Sequence, residues 1–121
     1  MKQEVKTWLT RAEEEFDTAK INLEAEKYFS AAFWCQQAAE KVLKALLIKK
    51  TNNFPKIHDL TKLARMSNAP ERIIGLCAKI NPAYTATRYP DTPGSYSESE
   101  GKQVIEYCKE VLGWAKKEIN S

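Results

Sequence analysis

Between Tyr28 and Lys50 the chain reads as one helix with apolar residues on almost every side. Phe29, Ala32, Phe33, Trp34, Cys35, Ala38, Ala39, Val42, Leu43, Ala45, Leu46, Leu47 and Ile48, set at about 100° per residue, fill all but one sector of its circumference. A helix apolar nearly all round has to be enclosed by other helices. The remaining sector holds Gln36, Gln37, Glu40, Lys41 and Lys44. Lys49 and Lys50 suit the carbonyl end of this helix, and Asn52, Asn53 and Pro55 stop it.

The segments around it supply the enclosure. From about Gln3 to Ala25, Val5, Trp8, Leu9, Ala12, Phe16, Ala19 and Leu23 recur at steps of three and four, the mark of a helix with one buried face. His58 and Asp59 open a short helix through Leu60, Leu63, Ala64 and Met66, either of the two sitting near its cap. Pro70 suits the first turn of a fourth helix carrying Ile73, Cys77 and Ile80. Asn81-Pro82 should kink or end it, with a short turn resuming through Tyr84. Residues 85–96 read as a loop, being rich in Thr, Pro, Gly, Ser and Tyr. Ser97 with Glu100 then forms a capping box for the last helix, whose apolar face runs Val104, Tyr107, Cys108, Val111, Leu112, Ala115, Ile119. With no alternating strand pattern and no repeat, the chain should be a single all-α domain over residues 1–121. The predicted architecture is an antiparallel up-and-down bundle of about five helices, three long and two short.

Composition narrows the function classes. Net charge is +3 and the pI near 8.7, with Lys and Arg interspersed among Glu, so no concentrated basic face announces a dedicated nucleic-acid binder. Cys35, Cys77 and Cys108 lie far apart, inside helical apolar patterns and without CxxC spacing. They read as small core residues in a reducing compartment. They form no ligand cluster with the lone His58, so no metal site is expected. No signal peptide opens the sequence and no apolar run approaches the length of a membrane span, which predicts a cytoplasmic protein with no membrane partner.

Two places can carry chemistry. In Arg88-Tyr89-Pro90-Asp91, a guanidinium fork suits phosphate or carboxylate, the phenol adds an aromatic face, proline stiffens the turn, and Asp91 accepts from hydroxyl or amide. The architectural alternative has Arg88 capping carbonyls of the fourth helix, or pairing with Asp91 or Glu40. The polar sector of the second helix, with Glu40 and Lys44 four residues apart, reads most simply as a solvated face. The sharper reading makes it one wall of a cleft shared with the Arg88 loop. His58, the only side chain whose ordinary pKa lies near neutrality, reads as a capping or hydrogen-bonding residue. No nucleophile has a triad context and the glycines form no phosphate-cradling motif.

Taken in order, Ala31-Ala32-Phe33, Gln36-Gln37-Ala38-Ala39-Glu40-Lys41, Lys44-Ala45-Leu46, His58-Asp59-Leu60 and Arg88-Tyr89-Pro90-Asp91 resemble the HEPN family, the higher eukaryotes and prokaryotes nucleotide-binding domain. The resemblance runs from Trp8 to the final helix. It implies a helical bundle, often a homodimer, encoded in prokaryotes beside a minimal nucleotidyltransferase and in some cases paired with it as toxin and antitoxin. It implies no cofactor but a nucleotide ligand, with Arg88, Tyr89 and Asp91 in contact and Gln37, Lys41 and His58 in support. Many HEPN proteins are metal-independent ribonucleases that use an Arg, four to six residues, then a His. Here nothing after Arg65, Arg72 or Arg88 supplies that His, so a binding module is expected rather than an enzyme. The alternatives are RNA cleavage by Arg88 with His58, and a purely structural dimerisation module. Trp34 and Ile48 are the expected dimer positions.

Overall fold

A computed structural model of the chain describes residues 1–86 and 96–121. The expectations placed on Arg88, Tyr89 and Asp91 lie outside those residues. The described chain is all helix and turn: α1 Gln3–Glu24, α2 Tyr28–Thr51, α3 Leu60–Met66, α4 Glu71–Ile80, α5 Pro82–Ala86 and α6 Glu98–Ile119. With the kinked pair α4–α5 counted as one element, this is the predicted all-α bundle of three long and two short helices. α1 and α2 are antiparallel, but α6 runs in the same direction as α2, its start against Tyr28 and its end at Lys49, so the order is not simply up-and-down. None of the described helices is long and apolar enough to cross a membrane.

α2 is the axis and packs against all five other helices. Alanines at 31, 32, 38, 39 and 45, all fully buried, keep its girth small so that the surrounding helices approach closely. Leu43, Leu46 and Ile48 fill the space between. Ile48 is only 1% exposed, which removes it as a dimer position. The α1–α2 turn is three residues long and folds back through Glu26 at φ 62°, with the Lys27 amide donating to the Asn22 carbonyl at 2.8 Å. At the far end Asn52 adopts the left-handed conformation that ends α2. There Lys49 Nζ donates to the carbonyls of Glu118 (3.0 Å) and Ser121 (2.8 Å), and Lys50 Nζ to that of Ser67 (2.7 Å).

α6 starts at the predicted capping box: the Glu100 amide donates to Ser97 Oγ and the Ser97 amide to the Glu100 carboxylate. One turn on, a side chain at Gly101 would stand 3.3 Å from Leu23 and Tyr28, so the glycine lets α6 seat against the α1–α2 corner. Cys35, Cys77 and Cys108 are buried free thiols in the core, as predicted. Cys108 Sγ donates to the Cys35 carbonyl at 3.3 Å. Burial pushes the Cys77 thiol up to about 12, and burial together with the neighbouring Cys35 and Cys77 thiols holds Cys108 well above the ordinary thiol value.

The α4–α5 joint sets up the site. Asn81, directly before Pro82, keeps helical angles and donates its amide to the Cys77 carbonyl, but proline has no N–H to continue the ladder. The chain bends and makes one more turn. Asn81's side chain faces α3, its Oδ1 accepting from the Leu60 amide and its Nδ2 donating to Asp59 Oδ1, both at 2.9 Å. Of the two candidate caps, Asp59 is the one that accepts from the Thr61 and Lys62 amides of α3.

Candidate functional site

The polar sector of α2 is not a solvated face. Gln36 is 0% exposed, Glu40 and Lys44 4% each, and Gln37 and Lys41 are half-buried. The reason lies on α1. Its buried stripe includes the carboxylate of Glu15, which reaches across to Lys41 Nζ at 3.0 and 3.2 Å. Trp8 of the same helix meets Phe54 edge to face at 4.7 Å, and both rings lie near the Lys44 ammonium (5.9 and 5.4 Å to their centroids).

Under this cover the polar groups form one continuous chain. Lys41 donates to Gln37 Oε1 (3.4 Å), Gln37 Nε2 to Gln36 Oε1 (2.7 Å), and Gln36 Nε2 to Glu40 Oε1 (3.4 Å) and to the His58 carbonyl (3.1 Å). Glu40 closes on Lys44 at 3.0 Å, and its two oxygens lie 3.0 and 3.1 Å from His58 Nδ1. Two carboxylates face two ammonium groups, and among the described residues no buried side-chain N or O lacks a partner. A low-dielectric site makes any gap in such a network costly, so completeness is the expected condition.

His58 is where the network reaches the surface. Its side chain is 52% exposed, yet both its carbonyl and its ring are tied to α2. Because a carboxylate only accepts, Nδ1 must be the donor toward Glu40, which fixes the tautomer and leaves Nε2 with no described partner. The ring stacks on Tyr84 of α5, centroids 4.8 Å apart and planes 15° from parallel. His58, Asp59, Asn81, Tyr84 and Thr85 line a cleft of about 290 Å³. The hydrogen bond from the Thr61 hydroxyl does most to hold the Asp59 carboxyl below its ordinary value; burial opposes it, and Asn81 and the α3 amides add to the lowering.

The structure thus separates residues that spacing had grouped. His58 lies at the cleft. Gln37 and Lys41 lie at the other end of the network, with Lys41 committed to Glu15 and lining a different pocket of about 300 Å³ with Thr7, Trp8 and Arg11. Glu40, Asn81 and Tyr84 were missed as site residues. Two of them carried a readable signal: an acid on a helix that must be enclosed, and an asparagine before a mid-helix proline. The described residues hold no group of three or more His, Cys, Asp or Glu arranged for a metal ion.

Comparison with known proteins bears on the fold and the family. No curated protein matches the chain. Among solved structures, ST0689, an archaeal HEPN homologue, superimposes with a TM-score of 0.83 at 27% identity, over 98% of this chain and 99% of that one. TT1696 from Thermus thermophilus superimposes with a TM-score of 0.88 at 24% identity, over 97% and 99%, a likeness of fold. The HEPN domain family model matches residues 5–119, nearly the whole chain, and the protein therefore belongs to the HEPN family.

Proposed function

We propose that this HEPN protein is a nucleotide-binding module that works beside a minimal nucleotidyltransferase, in the manner of a toxin–antitoxin pair. The observation that carries the reading is the presentation of His58. A buried carboxylate orients the ring, and Nε2 has no described partner at a small polar cleft. Thr85 lines that cleft, and Arg88 follows three residues later in the chain, a span of at most about 11 Å. Arg88 supplies the phosphate contact in this reading, with Tyr89 and Asp91 beside it. Gln37 and Lys41 act at one remove, by completing the network that holds Glu40 and hence His58. The test is a thermal-shift and calorimetric screen of wild type, Arg88→Ala and His58→Ala against nucleotides, with and without Mg²⁺. A nucleotide that binds wild type and loses affinity for both folded variants is expected. Equal affinity for all three proteins rejects the assignment. Co-purification with a nucleotidyltransferase, and a solution mass twice that of the chain, are the expected readouts for partner and homodimer.

One observation favours a second reading. A carboxylate-oriented histidine with an open Nε2 is the arrangement a general base requires. In that reading His58 takes the proton of an RNA 2′-hydroxyl, and the 2′-oxygen bonds to the adjacent phosphorus as the bond to the 5′-oxygen breaks. The leaving 5′-oxygen takes a proton from water, and Arg88 stabilises the phosphate, without metal. Metal-free RNA cleavage by wild type, lost in His58→Ala, is the expected result; intact RNA under wild type removes this reading.

A further inference from the structure

The cleft beside His58 has a polarity of its own. Asp59 spends one oxygen on the fold: Oδ1 accepts from the Thr61 amide (3.0 Å), the Thr61 hydroxyl (2.6 Å) and Asn81 Nδ2 (2.9 Å). No described group donates to Oδ2. The same hydrogen bonds favour the ionised form, so the group is an anion at neutral pH. No Lys or Arg among the described residues lines the cleft. A phosphate seated against these walls would face the carboxylate with no Lys or Arg of the described lining between them, which Coulomb repulsion disfavours. An O–H or N–H donor would instead gain a charge-assisted hydrogen bond, about twice as strong as a neutral one.

Size points the same way. At about 290 Å³ the cleft lies at the lower edge of small-molecule sites, which run from about 300 to 1,000 Å³. That suits a sugar or a base rather than a nucleotide with all its phosphates. The walls are also set in advance, His58 by Glu40 and Gln36, and Asp59 by Asn81, so little ordering is left for binding to provide.

We propose that this cleft receives the nucleoside end of the ligand and leaves its phosphates outside. Asp59 Oδ2 accepts from a ribose hydroxyl or an exocyclic amine, and His58 Nε2 makes the second contact. The inference rests on the nucleotide-binding reading above, but it assigns a different part of the ligand to a different residue.

The experiment is calorimetry on the full chain, wild type and Asp59→Asn, with adenosine, AMP, 2′,3′-dideoxyadenosine, inosine and inorganic phosphate. Asparagine caps a helix as well as aspartate does, so α3 keeps its start. Asp59→Ser, another good cap, is the second variant should the first lose helicity. The expected result is a loss of at least about tenfold in affinity for both adenosine and AMP, by a similar factor, since a hydrogen bond to a charged group is at stake. Inorganic phosphate should bind no more weakly to the variant than to wild type. Weak binding of dideoxyadenosine to wild type assigns the donor to the ribose, and weak binding of inosine assigns it to the amine. AMP bound with equal affinity by wild type and both variants overturns the inference while leaving the nucleotide reading in place. A chain that binds neither nucleosides nor nucleotides overturns both.

Discussion

His58 joins two polar regions built on opposite rules. Inward, toward Glu40, Gln36 and Lys44, every group has its partner within the chain and water is shut out by Trp8, Phe54 and α1. Outward, toward Asp59 and Tyr84, the groups are fixed in place but keep an unspent atom each at His58 Nε2 and Asp59 Oδ2. The first arrangement is a condition of folding, because a buried charge without its partner is expensive. The second has atoms to offer a ligand. Polarity in a helical bundle therefore marks function only where a fixed polar atom is left without a partner, and α2's polar sector, though richer in charge, shows no such buried atom among the described residues.

Substitutions can break that distinction. The largest effect is expected for Lys44→Ala, which strips the buried Glu40 carboxylate of its ammonium partner. A loss of about 3–5 kcal/mol in urea-unfolding free energy follows from the cost of an uncompensated buried charge. Lys44→Met with Glu40→Met should recover most of it, since the pair leaves together. A single-variant loss below about 1 kcal/mol would show that the inner region is wetter than described. Asn81→Ala comes next, at about 1–2 kcal/mol, because the Leu60 amide loses its acceptor and Asp59 a donor. This penalty should shrink in acid. A carboxyl with a depressed folded-state value stabilises the fold above its unfolded value near 3.8, and that contribution fades as pH falls through the lower folded-state value. Unfolding curves at neutral pH and near pH 3 measure the difference. His58→Ala should be the mildest, about 0.5–1 kcal/mol for the lost Tyr84 stack and a half-exposed hydrogen bond. Nucleotide binding, in contrast, should be lost. If His58→Ala destabilises as much as Lys44→Ala, the two regions are one.

Much of the fold was legible because helical periodicity encodes it directly. The enclosure of α2, the Ser97–Glu100 start of α6, the bend at Asn81-Pro82 and the burial of the three cysteines all follow from local pattern. The burial of the polar sector did not. Spacing shows that Gln36, Glu40 and Lys44 share a side of α2, but not what lies opposite. The partner, Glu15, sits between Ala12 and Ala19 on the buried stripe of α1, a misplaced acid that only a second helix explains. Likewise the link from His58 to Glu40 depends on how residues 52–57 carry the chain back along α2, a path that no periodicity specifies.

The lysines that end α2 have a consequence for the molecule's field. Lys49 and Lys50 hold the last carbonyls of α6 and the carbonyl of the residue closing α3, so the C-termini of three helices are gathered at one pole. Each terminus carries about half a negative charge from its aligned peptide dipoles, and here those charges lie within reach of the same two lysines. Two ammonium groups offset them. Acetylation at these positions would keep the length of the side chains but remove the countercharge, turning this pole into the place where the bundle frays first. Hydrogen exchange of the final turns of α2 and α6 in Lys49→Gln, faster than in wild type while the centre of α2 stays protected, is the expected sign.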